Sequence, residues 1–367
     1  MSTPTLRGCF QAMHLFDVAE EIGPARLRDA LRVAQTRREP SFSHRAPEYV
    51  RFEQPPVSEP AAPFPLGSGE LMQANVRYYD SGVVSVQLRL EFEGNWRDWA
   101  ELAARYVASD AATAWAIHTL RERLAQMPQI LVKPYQGDWI SEDYYIIQLG
   151  PLPDEGGEVV TAKRLLAEHG GEMAQILRGE SKPLSDDEQR EILSGAISYY
   201  TTDLLLAGWT GALIYDTPEG AQPAVELLEY ANTQLLVYRH YDLLLTQLLD
   251  GVYDSLAEGT GMLRRWRLAR EAARLNTIRL DITELTERTD NALKFLSDMF
   301  DARVYRLAAQ KVGVTDYRGL VEQKLRTAGE LYTFMVDQFH EGRAFVLELM
   351  IVIILIIDLI VLFKDAL

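Results

Sequence analysis

Between Arg264 and Arg279 six arginines (Arg264, Arg265, Arg267, Arg270, Arg274 and Arg279) stand against one acid, Glu271, with Trp266 near the start. The local charge is +5 in a chain whose formal charge is −16. Such a stretch binds phosphate without any catalytic group. Guanidinium groups near a membrane surface attract anionic headgroups at about 1 kcal/mol each, and a tryptophan settles at the same depth. The same arginines fit RNA phosphates. A solvated helix face with intrahelical pairs such as Arg267 to Glu271 also accounts for them.

No other stretch reads as chemistry. The chain lacks GxxxxGK[ST], GxGxxG after a strand, a GxSxG elbow and HExxH. Its six histidines (His14, His44, His118, His169, His240, His340) are scattered with no pair at ligand spacing, so neither a metal nor a cofactor is expected. The single cysteine, Cys9, excludes an internal disulfide and a CxxC cluster, points to a reducing compartment, and reads as a small core residue. Leu177–Ser181 and Glu142–Tyr144 are local polar clusters, although Glu142 and Asp143 more simply bound a strand. An unrecognised enzyme site would fall near Arg178, Glu180, Arg239 and Asp242, where a head domain meets the first long helix. No nucleophile can be named.

The elements that must carry these residues come in two styles. Residues 1–217 alternate strand and helix patterns and read as an α+β domain. Within it MQANVRYYDSGVVSVQLRLEFEG is a hairpin turning at Asp80-Ser81-Gly82. A helix is expected from Trp96 to Met127, shorter ones at Thr161–His169 and Met173–Arg178, and a capped one behind Ser185. The order strand, helix, strand, strand, helix, strand predicts a ferredoxin-like or closely related sheet. Residues 40–69, with seven prolines between Pro40 and Pro65, read as an extended connection. From Pro223 the period becomes 3.6, and residues 218–343 predict a stalk of long antiparallel, coiled-coil-like helices. In its second helix Leu275, Ile278, Ile282 and Leu285 form an apolar stripe that a partner helix must cover.

The last element expected is a single transmembrane helix at residues 344–363, AFVLELMIVIILIIDLIVLF, which would span about 30 Å. Glu348 and Asp358 interrupt it about 80° apart around the helix, and Asp358 reads as a pairing residue in an oligomer. The alternative is the buried core helix of a soluble oligomer.

Arg343, then Leu347-Glu348, then an Ile/Leu/Val run closed by Asp358, behind a long helical pair, resembles the RMD/YagE family of membrane-anchored proteins. Leu349 and Asp358 depart from the family's Trp and Glu. The resemblance implies an α+β head on a helical stalk with one C-terminal span and no catalytic residues, and carries over only Arg343, Glu348 and Asp358, as anchor positions. Together these readings predict a non-enzymatic, tail-anchored, homo-oligomeric scaffold or adaptor with lipids and an unidentified protein as partners. The N-terminus lacks a signal or matrix-targeting pattern, which places it as a single-pass protein of a bacterial inner membrane with its bulk cytoplasmic. The alternatives are a membrane tether for RNA or ribosomes through the basic helix, and the enzyme above.

Overall fold

Strand β1 (Leu6–Asp17) is buried on both of its faces, and that decides the layering around it. Phe10, Ala12 and Phe16 point to one side and Cys9, Met13 and Leu15 to the other, so helices must cover the sheet twice. The computed structural model describes residues 5–31, 56–67, 69–107, 109–257, 270, 274–284, 299–331, 333, 351 and 355.

Around β1 lies an eight-stranded mixed sheet in the order β3-β4-β5-β1-β7-β10-β9-β8. Its members are β3 (Val57–Pro65), β4 (Leu71–Tyr78), β5 (Val83–Gly94), β7 (Ile140–Leu149), β8 (Ala196–Ile197), β9 (Leu204–Ala207) and β10 (Gly211–Tyr215). Every pairing is antiparallel except β7 with β10. A two-stranded sheet, β2 (Ala19–Ile22) with β6 (Leu131–Pro134), lies beside the β4–β5 turn, where the Ile22 amide donates to Asp80 O at 3.1 Å. Gly82 makes that turn with φ +84°, and a Cβ there would run into the Ala19 carbonyl.

One face is covered by α1 (Pro24–Leu31), α2 (Trp96–Tyr106), α3 (Asp110–Gln126), α4 (Ala162–Arg178) and α5 (Asp186–Leu193). Trp96, Trp99, Met173 and Leu177 pack with Phe10, Tyr145 and Ile147, while Leu27, Leu120 and Leu124 pack with Phe16, Val76 and Val84. Side-chain caps start these helices: Asn95 and Asp98 form a capping box on α2, and Ser109, Thr161 and Ser185 cap α3, α4 and α5. The other face receives α6 (Pro218–Ala257), which Thr217 caps and Pro218 opens. From Leu227 to Tyr238 this helix is buried almost all round, which marks α6 as a core helix. Three further helices are α7 (274–284), α8 (Met299–Val312) and α9 (314–331).

The chain forms two units. The first comprises Met1–His240 and Arg288–Tyr317, the second Tyr241–Glu287 and Arg318–Leu367. Helix α6 belongs to the first as far as His240 and to the second from Tyr241.

Several expectations are corrected. A sheet of eight strands replaces the four-stranded ferredoxin-like one; within it β4-β5-β1-β7 stand in the order of a split βαβ unit, but β3 extends one edge and β10, β9 and β8 the other. The helix expected over Trp96–Met127 is broken by extended backbone at Val107, whereas the two short helices expected on either side of His169 do meet in α4 across non-helical backbone at His169 itself. Among the described residues no helix is long and apolar enough to cross a membrane, so the expected single C-terminal span, and with it the tail-anchored reading and the inner-membrane location, is not supported. The longest described helix, α6, carries Glu226, Glu229, Arg239, Asp242 and Asp250, a charge density incompatible with about 20 consecutive apolar residues. The run 344–363 itself lies outside the described residues except for Ile351 and Leu355, which are helical and exposed.

Candidate functional site

Strands β4 and β5 present a polar row at period two on the face towards α6: Asn75 and Arg77 on one strand, Ser85 and Gln87 on the other. Beneath α6 this row is partly withdrawn from water, Ser85 buried and Asn75, Arg77 and Gln87 half-buried, and Glu229, fully buried at 0% exposure, answers it. Gln87 Nε2 donates to Glu229 Oε1 at 2.6 Å, and Arg77 pairs with Oε2. The Tyr79 hydroxyl is a further partner of Glu229, and burial together with that carboxylate drives its pKa well up. Burial works against the Arg77 charge, but Glu229 outweighs it and holds the guanidinium protonated. One carboxylate thus gathers three donors, the arrangement that makes a buried charge tolerable.

Towards the far end of the first unit's part of α6, two ion pairs follow in consecutive residues. Arg239 pairs with Glu142 and donates to Ser141 O at 3.1 Å, gripping the start of β7. His240 Nδ1 lies 2.9 Å from Asp17 Oδ2 at the end of β1, and the imidazole stacks on Tyr135 at 4.2 Å and 16°. Burial raises the pKa of both carboxyls, against the opposing pull of His240 on Asp17 and of Arg239 on Glu142.

On the opposite face, His14 Nδ1 donates to Asp143 Oδ1 at 2.7 Å, and the Thr113 hydroxyl of α3 donates to Asp143 Oδ2 at 3.0 Å. Burial alone would raise the Asp143 pKa; the His14 and Thr113 hydrogen bonds and the His14 charge bring it below the ordinary carboxylate value. His14 Nε2 is buried without a hydrogen-bond partner. Cys9 is buried and its thiol is pushed up to about 12, chiefly by burial, so it is no nucleophile at neutral pH.

Of the basic stretch, Arg264, Arg265, Trp266 and Arg267 lie outside the described residues, while Arg270 and Arg274 are helical and exposed. Arg343, Glu348 and Asp358 also lie outside the described residues. The four residues suggested for an enzyme site have separate surroundings. Arg178 pairs with Glu188, Glu180 O accepts from Gln175 at 2.9 Å, Arg239 pairs with Glu142, and Asp242 pairs with Lys324 at 2.6 Å. Among the described residues no three His, Cys, Asp or Glu side chains form a group that could hold a metal.

The Glu229 cluster escaped sequence reasoning because a period-two polar row on a hairpin ordinarily faces water. Its one signal was the run Glu229, Asn232, Thr233, Gln234 within the largely apolar stretch Leu227 to Tyr238, all four now buried.

Comparison with known proteins gives no support to the RMD/YagE resemblance, whose motif lay in the undescribed tail. No solved structure matches the chain. It is 22% identical over 241 residues, 66% of this chain and 72% of the other, to uncharacterized protein MJ0711 of Methanocaldococcus jannaschii. Residues 7–222, which hold the whole sheet and helices α1 to α5, match the family described as the N-terminal domain of that protein, and the chain belongs to this family.

Proposed function

We propose that the protein is a homo-oligomeric, non-enzymatic scaffold or adaptor whose helical second unit makes the contact between copies. The observation that carries this reading is the distribution of exposed apolar surface. Six of the eleven large apolar side chains exposed among the described residues, Leu243, Tyr253, Leu280, Leu320, Ile351 and Leu355, belong to the second unit, the smaller of the two. Leu280 is 63% exposed on a helix whose Leu275, Ile278 and Ile282 are buried, so α7 has one apolar side covered within the chain and an apolar residue left over. Exposed apolar groups concentrated in one region mark interaction surfaces rather than random leftovers.

The sheet edges offer no competing route. β3 carries Pro60, Pro63 and Pro65, and β8 is two residues long, so neither edge presents an open ladder to a second chain. The buried Arg77–Glu229 pair, the half-buried Arg239–Glu142 pair and the His240–Asp17 contact fix α6 on the sheet, which suits a rigid platform.

Light scattering on the full chain tests this. The expected mass is a multiple of 41.6 kDa, falling towards one copy in Leu280→Glu combined with Leu320→Glu while circular dichroism is retained. A wild-type chain that stays at one copy at about 50 μM, where a micromolar interface would be formed, overturns it.

A further inference from the structure

The loop from Tyr199 to Asp203 joins β8 to β9 and holds two exposed tyrosines in a fixed pose. Both backbone amides, of Tyr199 and Tyr200, donate at 2.8 Å to the two carboxylate oxygens of Asp203. Tyr200 is 54% and Tyr199 47% exposed. Their rings meet edge to face at 4.7 Å, Tyr199 meets Phe300 of α8 at 5.2 Å, and the Arg303 guanidinium lies over Phe300 at 5.4 Å. One turn further along α8, Arg306 is also exposed. Neither Arg303 nor Arg306 has an ion-pair partner among the described residues, whereas Arg97, Arg164 and Arg190 on other helices each have one.

We propose that the two exposed tyrosine rings and two arginines gathered around Phe300 bind single-stranded nucleic acid, bases stacking on Tyr199 and Tyr200 and phosphates meeting Arg303 and Arg306. Exposed aromatic faces beside guanidinium groups are what such a strand requires, because every base has a π-face and every link a negative charge. An acidic peptide would use the arginines but leave the rings without a role. Two exposed rings set at 86° to each other offer more than one base can cover, so a strand fits better than a lone nucleotide. Asp203 lies beside the tyrosines and Asp301 in the first turn of α8, so the phosphates meet Arg303 and Arg306 beyond it. The Asp203 carboxylate is already engaged by two amides, and Lys311 pairs with Glu191. With a net charge of −16 the whole molecule repels polyanions, so binding is local, modest and strongest at low salt.

The test is fluorescence anisotropy of the full chain with a labelled single-stranded oligouridine of about 12 nucleotides at about 50 mM salt. The wild type should bind, and Tyr200→Ala should weaken binding on the order of tenfold, the usual loss of one stacked base, while Tyr200→Phe retains it. Arg303→Gln should lower the salt slope by about 1. Absence of binding by the wild type, indifference to both Tyr200→Ala and Arg303→Gln, or equal competition by polyglutamate would each overturn the proposal. Because these variants sit in the first unit, oligomer mass is read separately from RNA affinity.

Discussion

Glu229 shows how one side chain can set the terms for a whole interface. With Arg77 and Gln87 fixed to its two oxygens, truncation to Ala leaves a guanidinium buried without its counter-charge. Urea unfolding of Glu229→Ala should therefore show a loss of about 3–5 kcal/mol, and Glu229→Leu with Arg77→Met should recover most of it, because removing both charges also removes their desolvation cost. Two other carboxyls carry opposite pH signatures. Asp143 is lowered, so its contribution is present above the ordinary value of 3.8 and is lost as pH falls through the folded value. Asp17 is raised, so its favourable contribution is held below 3.8 and is lost as pH rises through the folded value. Chemical unfolding between about pH 3 and 7 should thus show Asp143→Asn losing stability relative to wild type as pH rises, and Asp17→Asn gaining it. A parallel response of the two variants would contradict the pairings described.

At the scale of elements, the β4–β5 hairpin and the capped start of α5 were legible because their signals are local. Asp80-Ser81-Gly82 demands a left-handed residue between alternating runs, and Gly82 supplies it. Gly82→Ala should cost more than about 2 kcal/mol in thermal or urea unfolding, since the new Cβ meets both an unfavourable φ and the Ala19 backbone. Ser185 caps α5 where the acids of its first turn announced a helix start. The interruption of α4 at His169 was legible as the end of one short helix before Gly170-Gly171, but the break at Val107 was not, since no proline or glycine marks it. In the second unit, Lys324 of α9 reaches Asp242 and Thr246, one turn apart on α6, at 2.6 Å each. Lys324→Met should lower the unfolding free energy modestly, by about 1 kcal/mol in urea unfolding, because the pair is only partly buried.

For the molecule as a whole, self-association through the helical unit and strand binding by the Tyr199–Arg306 cluster make independent demands. Leu280→Glu with Leu320→Glu should lower the mass in solution and leave first-unit spectra unchanged. Composition, hairpin, caps and helical period were determined by the sequence alone, because each depends on neighbours within a few residues. Tertiary structure decided the rest. The parallel pairing of β7 with β10 joins residues more than sixty positions apart, and nothing in either strand names the other. The polar row of Arg77 and Gln87 reads as a wet face until α6, arriving some 140 residues later, covers it and supplies Glu229. Burial is a property of what lands on a surface, and for that reason the same residues could read as solvated in the chain and stand as a charged core in the fold.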